Sequence, residues 1–176
     1  MAHFAVTAVG ADRPGIVAAV TKALMDLGGN LEDTEMAVLG GQFAMMMVVA
    51  AEGDGASIER ALRPVGGDLD LLVAVRTIPE GEPASPPGQP WSVTVYGGDR
   101  PGIVHRVTAL LAGFGVNITG LETRVIGPPG HPVYAMLLDV TVPADADGDQ
   151  VAAALAQAAG QLGIECEMHL SDADVL

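Results

Sequence analysis

Basic residues are scarce in this 176-residue sequence: 8 Lys and Arg stand against 22 Asp and Glu, a formal net charge of −14. So negative a surface repels a phosphate backbone over most of its area, which disfavours direct binding of nucleic acid. A single cysteine excludes a disulfide framework within the chain; Cys166 falls in the alternating run Ile164, Cys166, Met168, Leu170 and reads as a buried structural thiol. No uninterrupted apolar run nears the ~18 residues needed to cross a bilayer, and Met1-Ala2-His3-Phe4 has no basic stretch ahead of an apolar one. No membrane partner is expected, and the chain reads as soluble and cytoplasmic. His3, His105, His131 and His169 are scattered without ligand spacing, so neither a metal nor a cofactor is expected. His105 alone stands near the start of a helix, where the first half of the chain has Ala18, and a solvated surface histidine is its expected identity. No Gly-x-Ser-x-Gly elbow, phosphate loop or dinucleotide fingerprint occurs, so no catalytic residue is named and enzymatic activity has little support.

What the sequence does have, it has twice. Asp12-Arg13-Pro14-Gly15-Ile16-Val17 returns as Asp99-Arg100-Pro101-Gly102-Ile103-Val104. A shift of 87 positions also pairs Gly10 with Gly97, Val20-Thr21 with Val107-Thr108, Leu24 with Leu111, Gly28 with Gly115, Asn30 with Asn117 and Glu35 with Glu122. About half of the aligned stretch is identical, the mark of a duplicated domain.

Phe4, Val6 and Ala8 have the alternation of a half-buried strand ending at Gly10. Pro14 suits the first turn of a helix, and Asp12 can cap a free amide such as that of Gly15. Ile16, Val17, Val20, Leu24 and Leu27 make the helical stripe, which Gly28-Gly29 stops. Asn30 opens a strand that runs through Met36 and Val38 to the turn Gly40-Gly41. Phe43 to Ala51 follows as a core strand, in which Met45, Met46 and Met47 alternate between faces and cannot converge on one metal ion. Ile58, Ala61, Leu62 and Val65 predict a second, shorter helix; Leu69, Leu71, Val73 and Val75 predict a fourth strand. Residues 79–90, five of them proline, read as a linker that at ~3.1 Å per residue reaches ~37 Å. The second half repeats the order: a strand at Trp91, Val93 and Val95; a helix over Ile103, Val104, Val107, Leu111 and Phe114; a strand from Asn117 to Ile126; the turn Gly127-Pro128-Pro129-Gly130. A strand carrying Tyr134, Met136, Leu138, Val140 and Val142, a helix over Val151, Leu155, Ala158, Ala159 and Leu162, and a strand from Ile164 to Leu170 complete it. The expected fold class is therefore α+β: two tandem ferredoxin-like βαββαβ units with antiparallel sheets, at residues 1–78 and 91–171, packed as a pseudo-dimer and followed by an acidic tail at 172–176.

Asp-Arg-Pro-Gly-Ile after a first strand, followed about one helix later by Gly28-Gly29-Asn30-Leu31 or Gly115-Val116-Asn117-Ile118, resembles the ACT domain, a regulatory amino-acid-binding module. The resemblance covers both halves. Two such units with nothing attached, together with Val38-Leu39-Gly40-Gly41-Gln42-Phe43, Gly130-His131-Pro132-Val133-Tyr134 and Val142-Pro143-Ala144, are similar to the tandem-ACT repressors of the glycine cleavage system. From the residues alone, a helix start at Gly15 or Gly102 offers unpaired amides and the positive end of a dipole to a carboxylate. The resemblance implies that Asn30 and Asn117 contact the ligand, often across an interface between two units. Asp12 and Asp99 are plausible partners for its ammonium. The ligand-site expectation thus comprises Asp12, Arg13, Pro14, Gly15, Ile16, Asn30 and Leu31 in the first unit. In the second it comprises Asp99, Arg100, Pro101, Gly102, Ile103, Asn117 and Ile118. The alternative is that Asp-Arg-Pro-Gly is only a well-capped helix start.

The resemblance implies a regulator that senses a small amino acid, glycine or similar, and signals through a protein partner such as a DNA-binding regulator, with a second copy of the chain as a further candidate partner. Two other readings stay open: an interaction scaffold that binds nothing small, and a regulatory fragment of an amino-acid-metabolism enzyme. The charge balance generates one prediction. Titrated with duplex DNA in a mobility-shift assay, the isolated protein shows no salt-sensitive affinity; binding at physiological salt without a second protein would contradict this.

Overall fold

A computed structural model of the chain describes residues 1–79, 81, 87–128 and 132–171. Half of the expected linker (residues 80 and 82–86), residues 129–131, which include His131 and part of the expected turn, and the tail at 172–176 lie outside the described residues. The chain divides at Glu82/Pro83 into two units, each with its own core.

In the first unit the order is β1 (Ala2–Ala11), α1 (Ile16–Asp26), β2 (Asn30–Leu39), β3 (Gln42–Ala51), α2 (Gly55–Leu69) and β4 (Leu71–Ile78). The sheet is antiparallel between neighbours, in the order β2-β3-β1-β4, so α1 carries the chain over β3 from the centre to an edge. Strand periodicity decides what is buried. Phe4, Val6 and Ala8 of β1 and Phe43, Met45, Met47 and Val49 of β3 face the helices, meeting Ile16, Val20 and Leu24 of α1 and Ile58 and Leu62 of α2. The three adjacent methionines obey the same rule: Met45 and Met47 are 4% and 0% exposed, whereas Met46 between them is 52% exposed.

The second unit repeats this as β5 (Gly88–Gly98), α3 (Ile103–Gly113), β6 (Asn117–Ile126), β7 (Val133–Pro143), α4 (Gly148–Leu162) and β8 (Ile164–Leu170), with sheet order β6-β7-β5-β8. Trp91, Val93 and Val95 pack with Tyr134, Met136, Leu138, Val140 and Val142 beneath Ile103, Val107 and Leu111 of α3 and Val151, Leu155 and Ala159 of α4. Gly148 lies against the Trp91 ring, where a Cβ would overlap the indole.

Three boundaries differ from the expectation. The second helix is longer than the first, 15 residues against 11, because Asp54 caps it a turn ahead of Ile58 and the left-handed Asp70 (φ 53°) ends it. Pro64 sits inside it on the exposed side, where the carbonyl it leaves unpaired can meet water. Leu69 is consequently helical, and the fourth strand starts at Leu71. The fifth strand starts at Gly88, three residues before Trp91, because Gly88, Gln89 and Pro90 pair with Pro143, Val142 and Thr141.

The alternation predicts unequal costs for neighbouring methionines. By denaturant titration followed by circular dichroism, Met47→Ala should lose ~2–5 kcal/mol of the first unit's stability and Met46→Ala no more than about 0.5. Equal losses would reject this face assignment.

Candidate functional site

Both copies of the repeated phrase fold into the same turn. Gly15 and Gly102 are the N-caps of α1 and α3, each at φ 94° in the left-handed region. A Cβ on either would meet nothing within 4 Å, so conformation and not crowding calls for glycine. Asp12 and Asp99 do not cap these helices, since no side chain accepts a hydrogen bond at either start. The left-handed glycine takes the N-cap position itself and leaves the aspartate three residues further back. The Asp12 amide instead donates to the Gly41 carbonyl at 2.9 Å, tying the turn to the β2–β3 hairpin. Pro14 and Pro101 stand in the turn, one residue ahead of the N-cap, and not in the first helical turn.

The first bonds inside the helices run from Ala19 N–H to the Gly15 carbonyl at 2.9 Å and from Arg106 N–H to the Gly102 carbonyl at 3.0 Å. The amides of Ile16, Val17 and Ala18, and of Ile103, Val104 and His105, therefore have no acceptor within their own helix. The other two helices are capped. The Asp54 carboxylate accepts from the Ser57 hydroxyl at 2.7 Å and the Ser57 amide at 2.9 Å, and these bonds hold its pKa below the ordinary carboxylate value. Asp147 accepts from the amide of Asp149 at 3.0 Å.

An open cleft lies over each bare helix start. The first, about 430 Å³, is lined by Asp12, Arg13, Gly15 and residues 16–18, and from the sheet by Met36 and Phe43. The second, about 570 Å³, is lined by Asp99, Arg100, Gly102 and residues 103–105, and from the sheet by Thr123 and Tyr134. Ile16 and Ile103 are 1% and 3% exposed and serve chiefly as core anchors under the turn. Arg100 is partly committed elsewhere: its Nη1 donates to the Leu162 carbonyl at 3.0 Å, placing a cation at the negative end of α4.

The asparagines do not join these clefts within a unit. Asn30 pairs with Ala50, which pairs with His3, whereas Asp12 follows Ala11 at the other end of β1; eight residues of strand separate the ends, roughly 27 Å. Asn30 also lies on the sheet face away from the helices, because its neighbours in the register alternate with the buried Phe4 and Val49. Glu32 at that end is 3.2 Å from His3. Asn117, opposite Thr141, repeats the placement. Leu31 and Ile118 are half-buried against their cores. Met36, Phe43, Thr123 and Tyr134 were not foreseen as site residues. The 87-residue shift does align Met36 with Thr123, and the pairings Gly10–Phe43 and Gly97–Tyr134 make the two aromatics equivalent.

Tyr134 differs from Phe43 by a hydroxyl that is buried and, among the described residues, has no hydrogen-bond partner. Burial pushes its pKa above the usual tyrosine value and the Asp99 charge adds to the rise; the Thr123 side chain is near enough to oppose it in part, without reaching the geometry of a formed hydrogen bond. Leaving such a group unpaired costs ~1–3 kcal/mol. Cys166 is half-buried on the core side of β8, and burial pushes its thiol up to about 11, leaving it protonated and unreactive near neutral pH.

Residues 2–76 and residues 91–160 each match the ACT-domain family. The chain is a tandem ACT-domain protein. It belongs to the same family as the glycine cleavage system transcriptional repressor of Escherichia coli, to which it is 31% identical over 152 residues, 85% of this chain and 80% of that one. It is also 32% identical to an unknown protein from Galdieria sulphuraria whose crystal structure superposes with a TM-score of 0.85, covering 97% of this chain and 98% of that one. A UPF0237 protein of Methanopyrus kandleri is 37% identical over 79 residues, 43% of this chain and 88% of its own length, which matches the size of one unit.

Gly15→Ala and Gly102→Ala should each lose ~1–2 kcal/mol through backbone strain alone. Thermal unfolding of the full chain checks it; unchanged midpoints would mean that the left-handed caps are not required.

Proposed function

We propose that this chain is a regulatory sensor of a small free amino acid, bound with its carboxylate on the bare amides of α1 or α3 and its ammonium against Asp12 or Asp99. The observation that carries the reading is the contrast among the four helices. The two that open with the repeated phrase lack a capping side chain and lie under clefts, while the two that do not are capped by their own aspartates. A carboxylate completes both bare helix starts, supplying acceptors to the free amides and a negative charge to the positive end of the dipole.

Glycine, or an amino acid of similar size, is the effector suggested by the relative that represses the glycine cleavage system. Regulation then concerns glycine breakdown, and this protein is not itself an enzyme. It acts on transcription through a protein partner that reads DNA, since a chain with net charge −14 is poorly suited to do so. Among the described residues no helix is long and apolar enough to cross a membrane.

Thermal-shift screening against the standard amino acids, followed by calorimetry on the best stabiliser, tests the reading. At least one amino acid should raise the unfolding midpoint, and Asp12→Ala with Asp99→Ala should cost about one to two decades of affinity, the worth of a hydrogen bond to a charged group. A screen in which nothing stabilises the protein, or a ligand indifferent to the double substitution, rejects it.

A further inference from the structure

The two clefts share a floor plan and differ in chemistry. Where the first cleft has Ala18, Met36 and Phe43, the second has His105, Thr123 and Tyr134 at the equivalent positions. Every one of these three differences adds a hydrogen-bonding group to the second cleft. None of them is needed by the fold, because the first unit builds the same turn, helix and sheet without them.

Tyr134 is the most informative of the three. Its side chain is 8% exposed and lines the cleft, and its hydroxyl lies within the protein with no partner among the described residues. Phe43 fills the same place without that oxygen. A buried hydroxyl without a partner is a standing cost, and it persists where a ligand group supplies the partner. Val104, His105 and Thr123, which line the same cleft, are all exposed, so burial does not fix these side chains around Tyr134.

Building on the reading of the helix starts as amino-acid sites, we propose that the duplicated clefts have diverged in specificity. The second accepts an amino acid with a hydroxyl or amide side chain that pairs with Tyr134 and Thr123; the first accepts glycine or an amino acid with a short aliphatic side chain. The chain then reads two amino acids and not one. Selectivity follows from the polar cleft, since a site built to hydrogen-bond a ligand group rejects the analogue that lacks it, whereas an apolar cleft discriminates weakly.

The experiment is calorimetry on the full chain with serine, threonine, asparagine and glutamine, and with glycine, alanine and valine as apolar counterparts, for wild type, Tyr134→Phe and Phe43→Tyr. At least one of the polar four should bind wild type and lose tenfold or more in affinity in Tyr134→Phe, while any apolar ligand keeps its affinity in that variant. Tyr134→Phe should unfold no earlier than wild type without ligand, because the orphaned hydroxyl is gone; a structural role for the hydroxyl would lower the midpoint. Binding of a polar amino acid that Tyr134→Phe leaves unchanged, or binding of apolar amino acids only, overturns the divergence and spares the general reading. Binding of none of the seven overturns the divergence, and the general reading falls with it only if the screen of all the standard amino acids is also silent.

Discussion

A single backbone constraint, the left-handed glycine between strand and helix, sets the geometry on which the rest of each unit depends. After β1 or β5 the chain must leave the central strand and climb onto the sheet within four residues, and Gly15 and Gly102 at φ 94° make that turn. With glycine as the N-cap there is no side chain to satisfy the first amides, so the helix start remains open. The same residue that permits the fold therefore leaves donors free. Ile16 and Ile103, one position later, are held in the core and fix where those donors point.

Duplication preserved this constraint and released the surroundings. Ile16, Val20 and Leu24 return as Ile103, Val107 and Leu111, all buried, and the two sheets have the same strand order. The residues that meet the cleft from the sheet did not return: Thr123 stands where the first unit has Met36, and Tyr134 where it has Phe43. Buried positions answer to packing, which tolerates little change in volume. Phe43 and Tyr134, themselves buried, keep the aromatic ring that packing demands and differ only in the hydroxyl.

Most of the architecture was legible in the sequence because period-2 and period-3.6 patterns report directly on burial. The alternation through Phe4, Val6 and Ala8 and the stripe Ile16, Val20, Leu24 both reappear as buried residues. Boundaries set by a single residue were less legible. Asp54 and Asp70 decide the length of α2, and Leu69 looks equally apolar in a helix or in a strand. The candidate site was half legible. The phrase itself marks the helix start, but the assignment of the cap to Asp12 failed because a positive φ leaves no trace in composition other than glycine itself. The sheet side of each cleft depends on register, which places Phe43 beside Gly10 and carries Asn30 to the other end of the sheet. Sequence order contains no such information until the strands are paired.

The central claim is that the uncapped amides of α1 and α3 receive a carboxylate. Backbone amide shifts of nitrogen-15-labelled protein, followed during titration with an amino acid that stabilises it, address that claim at the atoms concerned. The account predicts the largest changes at residues 16–18, residues 103–105 or both, with downfield displacement as the amides acquire acceptors, and little change at the capped starts of α2 and α4. Saturable shifts confined to other surfaces, with those amides unmoved, would contradict it.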